Sequence, residues 1–258
     1  MKKRLVFDGS ADVLKYIQKH EDRVREFLDG HHSFAKKSYE EICNGLKFGI
    51  KDYNKKFLEE LKDIEDTKIE TNDYFFTDNG MFYDMQSVVD GLPECMLDTV
   101  QEERKSLRIV SDYAYPHYVS DKRINYRGVS LFKLFYTLLT KNYNLEIEFA
   151  TKIIHRGRTR KELELIFRLP KNELNIPTIA YYCNVEFFRA VTCAILETEG
   201  LRTNCSQSDR DFCSDNPEDF FVPAGYTDSR TETFNSVEDA DKYITEKFNK
   251  YLEQRGMK

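Results

Sequence analysis

No C-x-x-C pair occurs among the six cysteines, Cys43, Cys95, Cys183, Cys193, Cys205 and Cys213. Zinc takes ligands that converge from close, paired positions, and that spacing is missing. His31 and His32 adjoin each other but have no H-x-x-x-H companion, so neither a metal nor a cofactor is expected. Serine nucleophile elbows and phosphate-cradling glycine loops are also absent, and no catalytic residue is assigned. Apolar runs are short and interrupted by charge, which excludes a membrane-spanning helix. The basic start MKKRLVFDGSADV holds an apolar run of three residues, too short for a signal peptide. Without a secretory signal, free thiols in a reducing cytoplasm are expected. Internal repeats and low-complexity tracts are lacking too.

What remains is a chain built to fold. Its 258 residues are 40% hydrophobic, with 19 Phe and 16 Tyr, enough for a buried core. The net charge of −6 argues against a bulk nucleic-acid coat while leaving room for a local basic patch.

The apolar period changes three times between 107 and 169. LRIVSDYAY alternates as a strand does, YRGVSLFKLFYTLLTKN has helical spacing, and LEIEFATKIIHRGRTRKELELIFRL reads as a β-hairpin. Leu131, Leu134, Phe135, Leu138 and Leu139 are expected on the helix's buried stripe. This order predicts an α/β fold, an open mixed sheet with a β-hairpin and helices packed on it. A helical N-terminal flank and a C-terminal helix complete it.

Three segments are expected: a helical flank over 1–69, an α/β core over 70–200, and an acidic irregular segment with a terminal helix over 201–258. Helical spacing covers 10–30 and 38–66, with Ser38 and Glu41 as a capping box. Asp78-Asn79-Gly80 marks a turn between short aromatic strands. Residues 178–199 read as one buried helix with Tyr181, Val185, Phe188, Val191 and Ile195 on its face. Ten acidic residues against Arg210 and Arg230 fill 209–241, and Ser236 caps a final helix.

SYEEICNGLKFGI, YDMQSVVDGLPECMLD, YRGVSLFKLFYTLL with LEIEF, and AYYCNVEFFRAVTCAILE, in that order, resemble a family of uncharacterised tailed-bacteriophage proteins. The matching positions are Gly91, Pro93, Glu94, Cys95, Met96, Arg127, Gly128 and Arg189, and the resemblance covers about 33–199. It implies a phage-encoded protein acting in the host cytoplasm. The strand order of 107–199 is similar to a von Willebrand factor A-like domain. In such a domain a strand ends in an Asp-x-Ser-x-Ser metal site, and a helix and a hairpin follow. Here that run is Asp112-Tyr113-Ala114-Tyr115-Pro116, without the two hydroxyl ligands.

Asp112 stands at the carboxyl end of a predicted strand, where open α/β sheets bind ligands, although aspartate also caps turns there. Arg127, before Gly128 at a helix entrance, either holds an anion or is itself held by a carboxylate such as Asp112 or Glu94, or by backbone carbonyls. Cys95 lies between Glu94 and Asp98, whose charge raises a thiol pKa and favours a packing role. Lys152, His155, Arg156, Arg158, Arg160 and Lys161 concentrate positive charge at the hairpin tip. They read as a partner-binding surface or as a solvated turn.

The expected function is that of a non-enzymatic protein-interaction protein, binding a phage or host protein through the basic hairpin or the acidic flank. One alternative is a nucleic-acid-associated accessory protein contacting phosphates through the hairpin. Another is a metal-dependent α/β site at Asp112. No membrane partner is expected.

Overall fold

A computed structural model describes residues 2–30, 37–49, 74–77, 82–83, 96–99, 106–113, 115, 119–141, 143–156, 160–201, 216, 218–224 and 234–256. Its centre is a five-stranded mixed sheet in the order β1-β7-β6-β5-β8, formed by β1 (Lys2–Asp8), β5 (Ser106–Asp112), β6 (Asn144–Arg156), β7 (Arg160–Leu169) and β8 (Phe220–Val222). β6 and β7 pair antiparallel; β1 with β7, β6 with β5, and β5 with β8 pair parallel. The sheet thus takes β1 from the expected helical flank and β8 from the expected acidic segment. A second sheet sets β4 (Met96–Thr99) between β2 (Tyr74–Thr77) and β3 (Phe82–Tyr83). The strands on either side of Asp78-Asn79-Gly80 therefore both pair with β4 and not with each other. A local turn signal says nothing about a third strand that arrives later in the chain.

Alternation sorts the strand residues onto two faces. Leu107 and Ile109 of β5, Leu145, Ile147 and Phe149 of β6, and Leu163, Leu165 and Phe167 of β7 join the main core. That core also takes in α1 (Ser10–Lys19), α2 (Glu21–Gly30), α3 (Tyr39–Phe48) and α4 (Asp121–Thr140). From the C-terminal half it adds α5 (Ile176–Cys183), the π-turn Phe187–Thr192, α6 (Cys193–Thr198) and α7 (Val237–Gln254). The even positions of β5, β6 and β7, and Phe221 between the core residues Phe220 and Val222 of β8, face the other way. Val110, Ala150 and Ile166 form a small second cluster with Phe221.

The local signals explain most helix starts. The Ser38–Glu41 capping box is present, and Ser236 accepts the Asp239 amide at the start of α7. At α1, Gly9 has φ 94 and no capping side chain of its own; Glu173, from the 3₁₀ turn Lys171–Glu173, accepts the Ser10 amide at 2.8 Å instead. The helical spacing of 10–30 breaks at His20, and beyond residue 50 the stripe expected to 66 lies outside the described residues.

Two helices differ from expectation. α4 begins at Asp121, five residues before the predicted Tyr126, because Ser120 caps it and Ile124 already points into the core. Its fully buried positions include Ile124, Arg127, Leu131, Phe135 and Leu138, while Leu134 and Leu139 are only half-buried. The expected helix 178–199 is broken at Asn184, and its two parts are bent by 62°. Its residues are buried on every side, so the apolar pattern carries no mark of the bend. No single described helix is long and apolar enough to cross a membrane.

Gly128 sits where α4 meets α5. A Cβ there would lie 2.0 Å from the carbonyl oxygen of Cys183. Glycine is what lets the two backbones touch.

Candidate functional site

Ser111 and Asp112 end β5, and Val222 and Pro223 end or follow β8, so the carboxyl ends of two neighbouring parallel strands lie side by side. Arg127 reaches between them from α4. Its Nη2 donates to the Ser111 hydroxyl at 3.0 Å and to the carbonyls of Val222 and Pro223 at 3.1 and 2.9 Å. Its Nη1 donates to the Tyr115 hydroxyl at 2.6 Å and its Nε to Pro223 at 3.2 Å. The side chain is 1% exposed and, among the described residues, every partner is neutral. Burial holds the Tyr115 phenol above its ordinary pKa against the pull of the guanidinium, so the phenol stays neutral and accepts the bond.

Arg127 is therefore tied by backbone carbonyls and hydroxyls. It lies in the second turn of α4 and not at its entrance, because the helix starts at Asp121, and so it has no free helix amides beside it. Asp112 is buried at the same strand end. A divalent cation does not fit here. The Ser111 and Tyr115 hydroxyls already face a guanidinium, whose fixed charge repels a second cation. Among the described residues no group of three or more His, Cys, Asp or Glu could hold a metal ion. Arg189 is a second buried tie, donating to the Val119 carbonyl at 2.6 Å and to Asp121 at 3.3 Å, and so fixing the start of α4. Sequence reasoning missed Ser111, Tyr115 and Pro223 as partners of Arg127. They come together only through the sheet order, and no local signal marks them.

The face of the sheet turned away from the main core carries a grid of opposite charges. Glu148 Oε2 accepts from Arg108 at 3.0 Å and from Arg168 at 3.1 Å, and Arg108 also reaches Asp219 at 3.1 Å. Lys2 and Lys152 flank Glu162 at 3.6 and 3.5 Å, and Arg4 faces Glu164 at 3.7 Å. A cavity of about 530 Å³ opens toward the amino ends of β5 and β6, bordered by Arg108, Glu148, Arg168 and Lys171. Arg108, Arg168 and Glu148 in its wall are already committed to one another.

The hairpin breaks this rule at its tip. The register sets Arg156 opposite Arg160, like charge against like, and His155 opposite Lys161. Lys152, at the base of the arm, is the one cation of the predicted six whose side chain the structure describes, and it is paired. Of the remaining five, Arg158 lies outside the described residues, and His155, Arg156, Arg160 and Lys161 are placed by their backbone.

Comparison with known proteins extends over the whole of this arrangement, since a family profile matches residues 2–258. The chain belongs to the family described as Domain of unknown function (DUF7192). No curated protein and no solved structure matches it. The DUF7192 match takes in β1 and α7, both outside the 33–199 span of the sequence resemblance. Glu94 and Cys95, the other chemically suggestive pair, lie outside the described residues of this DUF7192 domain.

Proposed function

We propose that this chain is a phage-encoded, non-enzymatic protein-interaction protein of the bacterial host cytoplasm, and that it binds an acidic partner protein through the β6–β7 arm. One observation carries the reading: the sheet matches its charges along its body and mismatches them at the tip. Like charges at opposed ladder positions cost stability, roughly 0.2–1 kcal/mol per pair. The Arg156–Arg160 pair serves no folding purpose, and with Lys161 beside it gives a partner a dense cationic end. The phage assignment rests on the motif order around Gly91–Met96, Arg127–Gly128 and Arg189. The von Willebrand factor A-like reading is supported by β5 leading through α4 into the β6–β7 hairpin beside it. Arg127 lying between the strand ends at the switch point favours binding elsewhere on the molecule.

The same cations would also hold phosphates, which keeps nucleic acid as the second reading. The test is the triple substitution R156S/R158S/R160S. Surface changes of this kind shift stability by about 0.5 kcal/mol each at most, so the fold is retained. The variant should fail to retrieve, from phage-infected cells, the acidic protein captured by the unaltered chain, with the largest difference at low salt. Retrieval of the same partner with unchanged salt sensitivity would refute the reading. A gel shift with duplex DNA or RNA that weakens steeply between two salt concentrations would favour nucleic acid.

A further inference from the structure

We infer that a second copy of this chain is the partner of β1: two β1 strands pair antiparallel about a two-fold axis at Val6, joining their sheets into one. This surface is independent of the β6–β7 arm. β1 is the end strand of its sheet, with β7 on one side. The Gly9 amide donates to the Arg168 carbonyl at 2.9 Å, continuing the ladder. The parallel pattern therefore turns the backbone groups of Lys3, Leu5 and Phe7 toward β7, and those of Lys2, Arg4, Val6 and Asp8 outward. The side chains of these outward positions stand in water. Val6 is 39% exposed, and the side chains of Lys2, Arg4 and Asp8 are 70%, 54% and 65% exposed. Among the described residues their polar side-chain contacts are long ion pairs to β7, with Glu162 at 3.6 Å, Glu164 at 3.7 Å and Arg168 at 3.6 Å. The strand itself is held firmly. Phe7 stacks on Phe167 at 5.4 Å and meets Tyr16 of α1 edge-on at 5.4 Å, so the edge is formed before any partner arrives.

An exposed strand edge is a template for another strand, and the residues of this one select which. Arg4-Leu5-Val6-Phe7-Asp8 runs from a cation through three apolar residues to an anion. Reversed, such a string is complementary to itself. With Val6 opposite Val6 of the second copy, Arg4 faces Asp8 and Leu5 faces Phe7, each twice. The outward backbone groups of Arg4, Val6 and Asp8 then oppose one another, two hydrogen bonds to each opposed pair. Opposite charges and apolar residues at opposed positions favour a sheet, and like charges oppose it. A register two residues away sets Arg4 against Val6, and one further step sets Arg4 against Arg4. A parallel copy also brings like charge to like. Lysine commonly guards an edge strand against pairing. Here Lys2 and Lys3 lie outside the matched stretch, opposite Ser10 and Gly9, where the second copy has already turned into α1. Both copies give the same patch, so the pairing closes as a dimer and does not propagate. The contact is small, and the dimer is weak and concentration-dependent.

The test is sedimentation velocity on the full-length chain from roughly 1 to 500 µM, with folding checked by circular dichroism. The mass should rise from 30.5 kDa toward twice that value. Val6→Pro removes an amide that β7 does not use, so it should keep the fold and weaken association by about tenfold or more. If that variant unfolds, Val6→Glu, which sets like charges at the axis, replaces it. Arg4→Asp and Asp8→Arg, each alone, set like charges against each other and should weaken association similarly. An equal mixture of these two variants sets acidic residues of one copy opposite basic residues of the other. It should associate within about threefold of the parent, as should the double variant R4D/D8R. A mass of 30.5 kDa at every concentration overturns the proposal. A dimer indifferent to the Val6 variant overturns it too, since its contact then lies elsewhere. If the Val6 variant dissociates the dimer while neither the mixture nor R4D/D8R recovers it, the strands do not meet at Val6, and the proposed pairing is overturned.

Discussion

Gly128→Ala reverses a rule that holds almost everywhere else in a helix. In a helix interior this change normally stabilises by about 0.5–1 kcal/mol, because glycine loses more backbone freedom on folding. At position 128 the new methyl would stand 2.0 Å from the Cys183 carbonyl oxygen and 3.1 Å from its carbon. Contacts of carbon with carbonyl oxygen settle at about 3.3 Å or more, so α4 and α5 must part by more than about 1 Å. Cys183 has little room to yield. The Tyr113 hydroxyl bonds the carbonyls on either side of it, Tyr182 and Asn184, both at 2.9 Å. Overpacking of this sort costs about 1–3 kcal/mol. Loss of one or both tyrosine bonds adds about 0.5–1.5 kcal/mol each. Set against the helix-propensity gain, the net destabilisation is about 2–4 kcal/mol. In urea, with a slope of about 3 kcal/mol/M, the unfolding midpoint should fall by roughly 1 M. Gly30→Ala is the control, since nothing lies within 4 Å of a Cβ there. An unchanged or higher midpoint for Gly128→Ala would refute the close contact of α4 with α5.

Arg127→Ala leaves the Val222 and Pro223 carbonyls buried without their donor and should cost about 3–5 kcal/mol in the same assay; Arg127→Lys should not recover it, since an ammonium lacks the fork that spans four partners. Phe135→Ala, at a fully buried ring that meets Phe149 edge-on, should cost about 3–5 kcal/mol. Leu134→Ala, at a half-buried position, should cost about 1 kcal/mol, and equal losses would show that the buried face of α4 is misassigned. Burial disfavours the charged form of Glu199, but hydrogen bonds from Lys3 and Tyr16, both 2.6 Å, hold its pKa below the ordinary 4.5. Its contribution is therefore full above about pH 4.5 and is lost as pH falls through the lower folded value, so the stability gap between the parent and Glu199→Gln should close in acid. A gap that stays constant down to pH 3 would contradict this. Burial pushes the Cys193 thiol up to about 12 and raises that of Cys183 strongly, so iodoacetamide at pH 8 should label neither until denaturant is added, as read by peptide mass spectrometry.

The parts of this fold that are legible in the sequence are the ones whose causes are local. Ser38 with Glu41, and Ser236 with the Asp239 amide, are complete within one helical turn, and the structure realises both. Strand, helix and hairpin between 106 and 169 follow from the period of the apolar residues. The start of α4 was not legible, because Ser120 is followed at the third position by Arg123 where a capping box has Glu or Gln. Arg127 is held by backbone carbonyls, one of the two anchors its place before Gly128 suggests, but which carbonyls depends on the meeting of the β5 and β8 ends. Leu134 is only half-buried, because the buried stripe of α4 is turned toward Ile124, Arg127 and Leu131. The bend at Asn184 escapes periodicity because both its sides are apolar. At the hairpin, the cluster of cations is plain in one dimension. Which of them oppose each other depends on the register of the turn.

That register, together with the sheet order, bears on the place proposed for a partner. In open α/β sheets the carboxyl ends of the parallel strands, at the point where the order reverses, are the usual ligand crevice. Here that place holds Arg127, bound on every side it presents to Ser111, Tyr115, Val222 and Pro223. A ligand entering would have to break five hydrogen bonds around a buried charge and replace them all. The β6–β7 arm extends from the same end of the sheet, since β5 and β6 run parallel and the arm prolongs β6 past the end of β5. On the proposed reading its occupation asks nothing of the core, and the register already sets Arg156 opposite Arg160. Binding there removes a cost that folding leaves in place, whereas binding between the strand ends adds one. On that reading, energetic grounds favour the arm over the ends of β5 and β8 as the place for a partner.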